Sequence, residues 1–154
     1  MSYKLIRIDD RLIHGQVVAV WKRSLAIDRI WVIDEVTSND DFLVGVMKLV
    51  APADTEIVIT GENHIEELAG KFDQDSVNTL VLAKYPYVMK KLFDTGISFK
   101  KLNIGGIGAA PNRKQIYQNI SVSYEEEKTL RSIRDMGVDV YFQVTPDGRV
   151  VSFN

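Results

Sequence analysis

The densest chemistry in the chain is the stretch Asp9-Asp10-Arg11-Leu12-Ile13-His14-Gly15-Gln16, which sets two carboxylates, a guanidinium and an imidazole between two apolar runs. Histidine and cysteine are scarce elsewhere. There is no cysteine, and the only histidines are His14 and His64. An imidazole has a free nitrogen lone pair near neutrality, so it can attack phosphorus to give a phosphoramidate able to pass its phosphoryl group onward. Arg11 suits the resulting anion, because its planar fork matches phosphate oxygens and stays charged. Gly15 permits close backbone approach, and the amides opening the next helix would point at the same anion. Taken alone, Asp9 and Asp10 read as turn and cap residues. Beside His14, either could orient the imidazole or fix Arg11. A histidine at a helix start can also be only a cap, so the loop by itself leaves both readings open.

The elements that must position this loop follow from apolar periodicity. Tyr3–Ile8, Arg29–Ile33, Glu56–Thr60, Thr79–Ala83, Lys101–Ile104 and Val138–Val144 are short runs rich in Val, Ile and Leu without clean alternation, as expected of strands buried on both faces. Helical stripes lie between them: Val17-Val18-Trp21-Leu25, Phe42-Val46-Leu49-Val50, Ile65-Leu68-Ala69-Phe72, Val88-Leu92-Phe93 and Leu130-Ile133-Met136. Asn39-Asp40-Asp41 caps the second stripe, and Gly96 and Gly137 stand where helices should stop. Gln115–Ser123 reads as an extended strand leading into a helix capped by Ser123, with Glu126 closing a capping box. Pro146-Asp147-Gly148-Arg149 followed by Val150-Val151 signals a small C-terminal hairpin. Strand and helix in regular alternation predict an α/β fold: an open, mostly parallel β-sheet with helices on both faces, in one domain over residues 1–154. Such sheets collect their chemistry at the carboxyl ends of the strands, which selects the loops at 9–15, 34–39, 60–63, 84–87 and 105–113.

The string Arg7-Ile8-Asp9-Asp10-Arg11-Leu12-Ile13-His14-Gly15-Gln16-Val17 resembles the active-site segment of the enzyme IIB subunits of the mannose/fructose/sorbose family of the phosphoenolpyruvate-dependent sugar phosphotransferase system (PTS). Asp34-Glu35-Val36 with Asn39-Asp40, Lys101–Gly106, Arg113-Lys114-Gln115-Ile116 and Ile120–Ser123 resemble further segments of that family in the same order. The resemblance implies a phosphocarrier that accepts a phosphoryl group from a histidine of a IIA protein or domain and gives it to a sugar entering through membrane IIC and IID subunits. It implies that His14 is phosphorylated on Nδ1 and that Arg11 stabilises the phosphohistidine; Asp9 and Asp10 remain the candidate orienting groups on the residue chemistry alone. Gly15, Gln16, Lys84, Gly105 and Gly106 become candidates for a phosphate- or partner-facing loop. No cofactor or metal is expected, because the donor is itself a phosphoramidate. Relatives handle mannose, fructose, sorbose, glucose or N-acetylgalactosamine, and they suggest self-association as a homo-oligomer. One segment departs from the family: Ile107-Gly108-Ala109-Ala110-Pro111-Asn112 replaces a common Met-His followed by polar residues, which bears on specificity. A regulatory relative, phosphorylated on His14 but transferring nothing to sugar, is the alternative.

Other features read as structure. Gly105-Gly106-Ile107-Gly108 lacks the third glycine of a dinucleotide fingerprint and belongs to a late strand. His64 sits among Glu62, Glu66 and Glu67 with no second His or Cys to complete a metal site, so it reads as part of a solvated helix face. Trp21 and Trp31 read as core, Trp21 also as a border of a docking surface. The formal net charge of −2, from 19 Lys+Arg against 21 Asp+Glu, gives no sign of a nucleic-acid binder. Charges at positions 4, 7, 9, 10 and 11 leave no apolar signal-peptide core, and no apolar run reaches the roughly 18 residues of a membrane span. These features predict a cytoplasmic protein that meets the membrane only by docking on a permease.

Overall fold

The computed structural model describes residues 2–154. Seven strands form one sheet in the order β3-β2-β4-β1-β5-β8-β9. They are β1 (Tyr3–Asp9), β2 (Arg29–Ile33), β3 (Glu56–Thr60), β4 (Thr79–Ala83), β5 (Lys101–Gly106), β8 (Asp139–Phe142) and β9 (Val151–Ser152). All neighbours run parallel except β9, which turns back against β8 as the expected terminal hairpin. The helices are α1 (Gly15–Leu25), α2 (Glu35–Ser38), α3 (Asp41–Val50), α4 (Ile65–Gln74), α5 (Pro86–Asp94) and α6 (Tyr124–Asp135). One apolar layer joins α4, α5 and α6 to the sheet through Ile8, Trp31, Phe72, Met89, Leu92 and Ile133. A second joins α1 to the opposite face through Leu5, Leu12, Val18, Trp21, Val32 and Leu82. Both faces are therefore covered, which explains why the strands lack alternation.

Local signals set most boundaries. Ser123 and Glu126 form a reciprocal capping box that starts α6, Pro86 opens α5, and Gly96 and Gly137 take left-handed backbone (φ 98° and 95°) just past α5 and α6.

The structure corrects three expectations. The single extended segment over Gln115–Ser123 is instead a hairpin, β6 (Lys114–Tyr117) and β7 (Ile120–Val122), folded at Gln118 with φ 25°. Tertiary bonds decide the break: Asn119 Nδ2 donates to the Gly105 carbonyl at 2.8 Å, and Ile107 bridges Ile120. The four-residue α2 is too short to show a stripe and exists because buried Asp34 accepts from the Thr37 amide and hydroxyl. The Phe42-Val46-Leu49-Val50 stripe does not face the core. Phe42, Leu49 and Val50 are exposed and Val46 is half-buried, while Met47 supplies the packing contact of α3.

Gly70 lies within α4, exposed, with nothing within 4 Å of an added Cβ. Gly70→Ala should stabilise the chain by about 0.5–1 kcal/mol, read as a higher urea midpoint at unchanged slope.

Candidate active site

Strand β1 carries an arginine inside an apolar run. Arg7 is 1% exposed, and an ion buried so deeply requires partners. Its Nη1 donates to Asn103 Oδ1 at 2.6 Å and to the Gln143 carbonyl at 3.1 Å, and its Nη2 donates to Asp9 Oδ2 at 3.0 Å. The guanidinium lies 5.6 Å from the centre of the Trp21 ring, whose Nε1 donates to the Val144 carbonyl. Trp21 is therefore buried, part of the wall around Arg7. Room for the guanidinium comes from a bulge: the register runs Ile8 to Ile104 and then Asp9 to Gly106, leaving Gly105 as the extra residue. A Cβ on Gly105 would fall 1.9 Å from Arg7 Nη2, so only glycine fits.

Asp9 is fully buried at the end of β1 and gathers the loop above it. Its Oδ1 accepts from the Arg11 amide at 3.1 Å and from Arg11 Nε at 3.2 Å. Its Oδ2 accepts from Arg11 Nη2 at 3.3 Å and lies 3.1 Å from His14 Nε2. Burial by itself would raise the Asp9 pKa. The charge of Arg7 and the bonds from Arg11 and His14 outweigh it, so the carboxyl is held below its ordinary range. Burial also pulls the Arg7 pKa down, partly offset by Asp9, but a guanidinium starts so high that it stays charged. Two arginines against one carboxylate leave a local excess of one positive charge, favourable to an anion.

The backbone that returns Arg11 and His14 to Asp9 is a tight turn. The Leu12 amide donates to the Asp9 carbonyl at 2.9 Å, and Leu12 takes a left-handed φ of 56°. That conformation is unfavourable for leucine and is held by burying Leu12 and Ile13 under α1. His14 is the N-cap of α1 and makes no side-chain cap bond, so its ring is free for Asp9. Because carboxylate Asp9 faces Nε2, that nitrogen carries a proton, and Nδ1 is left on the side of the ring away from Asp9. The His14 side chain is 20% exposed and that of Arg11 50%, and no hydrogen bond among the described residues uses Arg11 Nη1. Gly15 (φ 45°) and Gln16 are exposed at the start of α1, where unpaired amides face outward.

The other predicted residues fall in different places. Asp10 does not touch His14. Its carboxylate accepts from the Gly108 amide at 2.7 Å and so braces the loop after β5. Arg113 holds the Gly108 carbonyl from the other side at 2.9 Å while paired twice with Glu126. Gly105 and Gly106 are buried strand residues, not an accessible loop, which corrects the expectation for them. A Cβ on Gly106 would meet Asn119, Arg11 and Asp9, so these glycines make room for the arginines. The accessible positions come later, at Gly108 and Ala109. Lys84 follows β4 beside Asp9 in the sheet, but its Nζ lies 3.8 Å from Asp34. His64 is exposed, with Nδ1 3.9 Å from Glu67. Sequence reasoning gave no role to Arg7, Asn103 or Gln143. The available signal was a charge inside an apolar strand.

Asp9→Asn should destabilise the fold by about 3–5 kcal/mol at neutral pH, because Arg7 loses its counter-ion. Since the folded pKa is depressed, the Asp9 contribution is complete above its unfolded value near 4 and is lost as pH falls through the lower folded value. The gap between wild type and Asp9→Asn, measured by urea unfolding, should therefore narrow below about pH 4. Gly105→Ala should lose about 3 kcal/mol or more by displacing the guanidinium.

A family model described as "PTS system sorbose subfamily IIB component" matches residues 3–153. The fructose-specific EIIB component of Bacillus subtilis (strain 168) is 27% identical over 146 residues, spanning 95% of this chain and 90% of the relative. The mannose-specific EIIAB component of Escherichia coli (strain K12) is 23% identical over 140 residues, 91% of this chain and 43% of that protein. The IIBSor domain of the sorbose permease from Klebsiella pneumoniae superposes with a TM-score of 0.92 at 25% identity, covering 98% of this chain and 93% of that one. Its sheet, its ordered loop after β1 and this match along nearly its whole length make the chain a IIB component of the mannose/fructose/sorbose family of the sugar phosphotransferase system.

Proposed function

We propose that His14 is the phosphoryl-carrying residue, relaying the group from a IIA phosphohistidine to a sugar entering through IIC and IID subunits. The observation that carries this is the Asp9–His14 contact, which supports Nε2 as a proton donor and Nδ1 as the nucleophile. Nδ1 attacks phosphorus, the nitrogen–phosphorus bond of the donor breaks, and the donor imidazole leaves with its electron pair. Charge that develops on the His14 ring is held by the Asp9 carboxylate through Nε2–H. Arg11, already fixed on one edge by Asp9, presents Nη1 to the phosphoryl oxygens, and the opening amides of α1 add a second set of donors. In the second half-reaction a sugar hydroxyl attacks phosphorus, the Nδ1–phosphorus bond breaks, His14 leaves with that electron pair as the neutral imidazole, and the hydroxyl proton passes to water. The fused arrangement named for the mannose-specific EIIAB relative supports a IIA partner as donor. No helix among the described residues is long and apolar enough to cross a membrane, in keeping with a component that docks on its permease.

Labelled phosphoenolpyruvate, supplied with the general phosphotransferase proteins and a IIA protein, should label the wild-type chain and leave His14→Ala unlabelled. Full labelling of His14→Ala would overturn the assignment. NMR of the phosphorylated chain should place the group on Nδ1. Arg11→Ala should slow transfer by about a hundredfold while leaving the fold intact, because its side chain is half exposed. Reconstitution with the permease should yield sugar phosphate; labelling without sugar phosphate would favour a purely regulatory role.

A further inference from the structure

Unlike the other α-helices, α3 has no buried residue. Phe42 is 77% exposed and Leu49 84%. With Gly45 and Val46 they fall at positions i, i+3, i+4 and i+7, so they share one face. Gly45 lies at the middle of that face with nothing within 4 Å of an added Cβ, a low point between two projecting side chains. The strand that follows α3 is β3, the edge of the sheet, with no strand on its outer side among the described residues. This end of the fold therefore leaves both apolar surface and backbone hydrogen-bonding capacity unfilled.

We infer that α3 is the contact face for a second copy of this chain, packed antiparallel about a two-fold axis near Gly45 and Val46. The stripe is self-complementary in that arrangement. Phe42 of one copy comes beside Leu49 of the other, and the small Gly45 lets the helices approach. The charges agree. Asp41 and Lys48 are exposed and lie about 20° apart around the helix, on one flank of the stripe at opposite ends. The two-fold brings Asp41 of each copy within about 3 Å, along the axis, of Lys48 of the other. A parallel two-fold would instead put the charged flanks of the two copies on opposite faces of the helix pair, with no contact between them. The sheet places β1 three strands in from β3, so His14 stays open to its partners in the dimer.

Sedimentation velocity from about 1 μM to about 1 mM should show a monomer passing to a dimer. Phe42→Glu/Leu49→Glu should raise the dimer Kd by at least about a hundredfold while circular dichroism and phosphoryl acceptance stay unchanged. Asp41→Lys and Lys48→Asp should each dimerise poorly alone and recover when mixed, since only the mixed pair opposes unlike charges at both ends. A wild-type monomer across the whole range would overturn the inference, as would a dimer indifferent to Phe42→Glu/Leu49→Glu. A monomer that sediments with phospholipid vesicles through the same two residues would assign the stripe to a lipid surface instead.

Discussion

The Asp9 carboxylate, wholly removed from water, receives hydrogen bonds from Arg7 beneath it and from Arg11 above it, and holds His14 at its open edge. A charge in that position is tolerable only while its partners are in place. The requirement runs in both directions. Arg7 needs Asp9 because it too is buried, and Arg7 in turn fixes Asn103, the Gln143 carbonyl and the glycine bulge of β5. The core of the sheet and the reactive loop are thus one electrostatic unit, with the imidazole as its outermost member.

Strain and packing complete the unit. Leu12 adopts a backbone conformation that leucine avoids, and burial of its side chain with Ile13 compensates. The loop therefore reaches the surface without being loose. The imidazole is presented on a short tether anchored on both sides, by β1 and by α1. Such an arrangement would suit the relay proposed for His14, since the orientation of the ring does not depend on a partner.

Much of this was legible in the chain itself, for identifiable reasons. The central strands are short runs of branched residues between turn signals, so their bounds follow closely from composition. The capping box at Ser123 and the glycines at 96 and 137 fixed helix ends for the same reason. His14 and Arg11 stood out because imidazole is scarce and the two lie three residues apart in a loop at a strand's carboxyl end. What escaped depended on distant contacts. Nothing local separates Asp9 from Asp10, yet one holds the imidazole and the other an amide 98 residues away. Gly105 and Gly106 looked like loop glycines because the side chain that needs their space comes from β1. The stripe on α3 has helical periodicity, but periodicity does not say which surface it meets.

The segment 107–112 has its backbone clasped at Gly108, by Asp10 on the amide and by Arg113 on the carbonyl. Both clasps act on main-chain atoms, while Ala109, Pro111 and Asn112 turn outward. Side chains there can be exchanged without shifting the path of the chain or the aspartate pair that begins the reactive loop. The fold thereby separates the residues that brace this loop from those it exposes. The exposed side chains are free to change while the bracing bonds stay as they are.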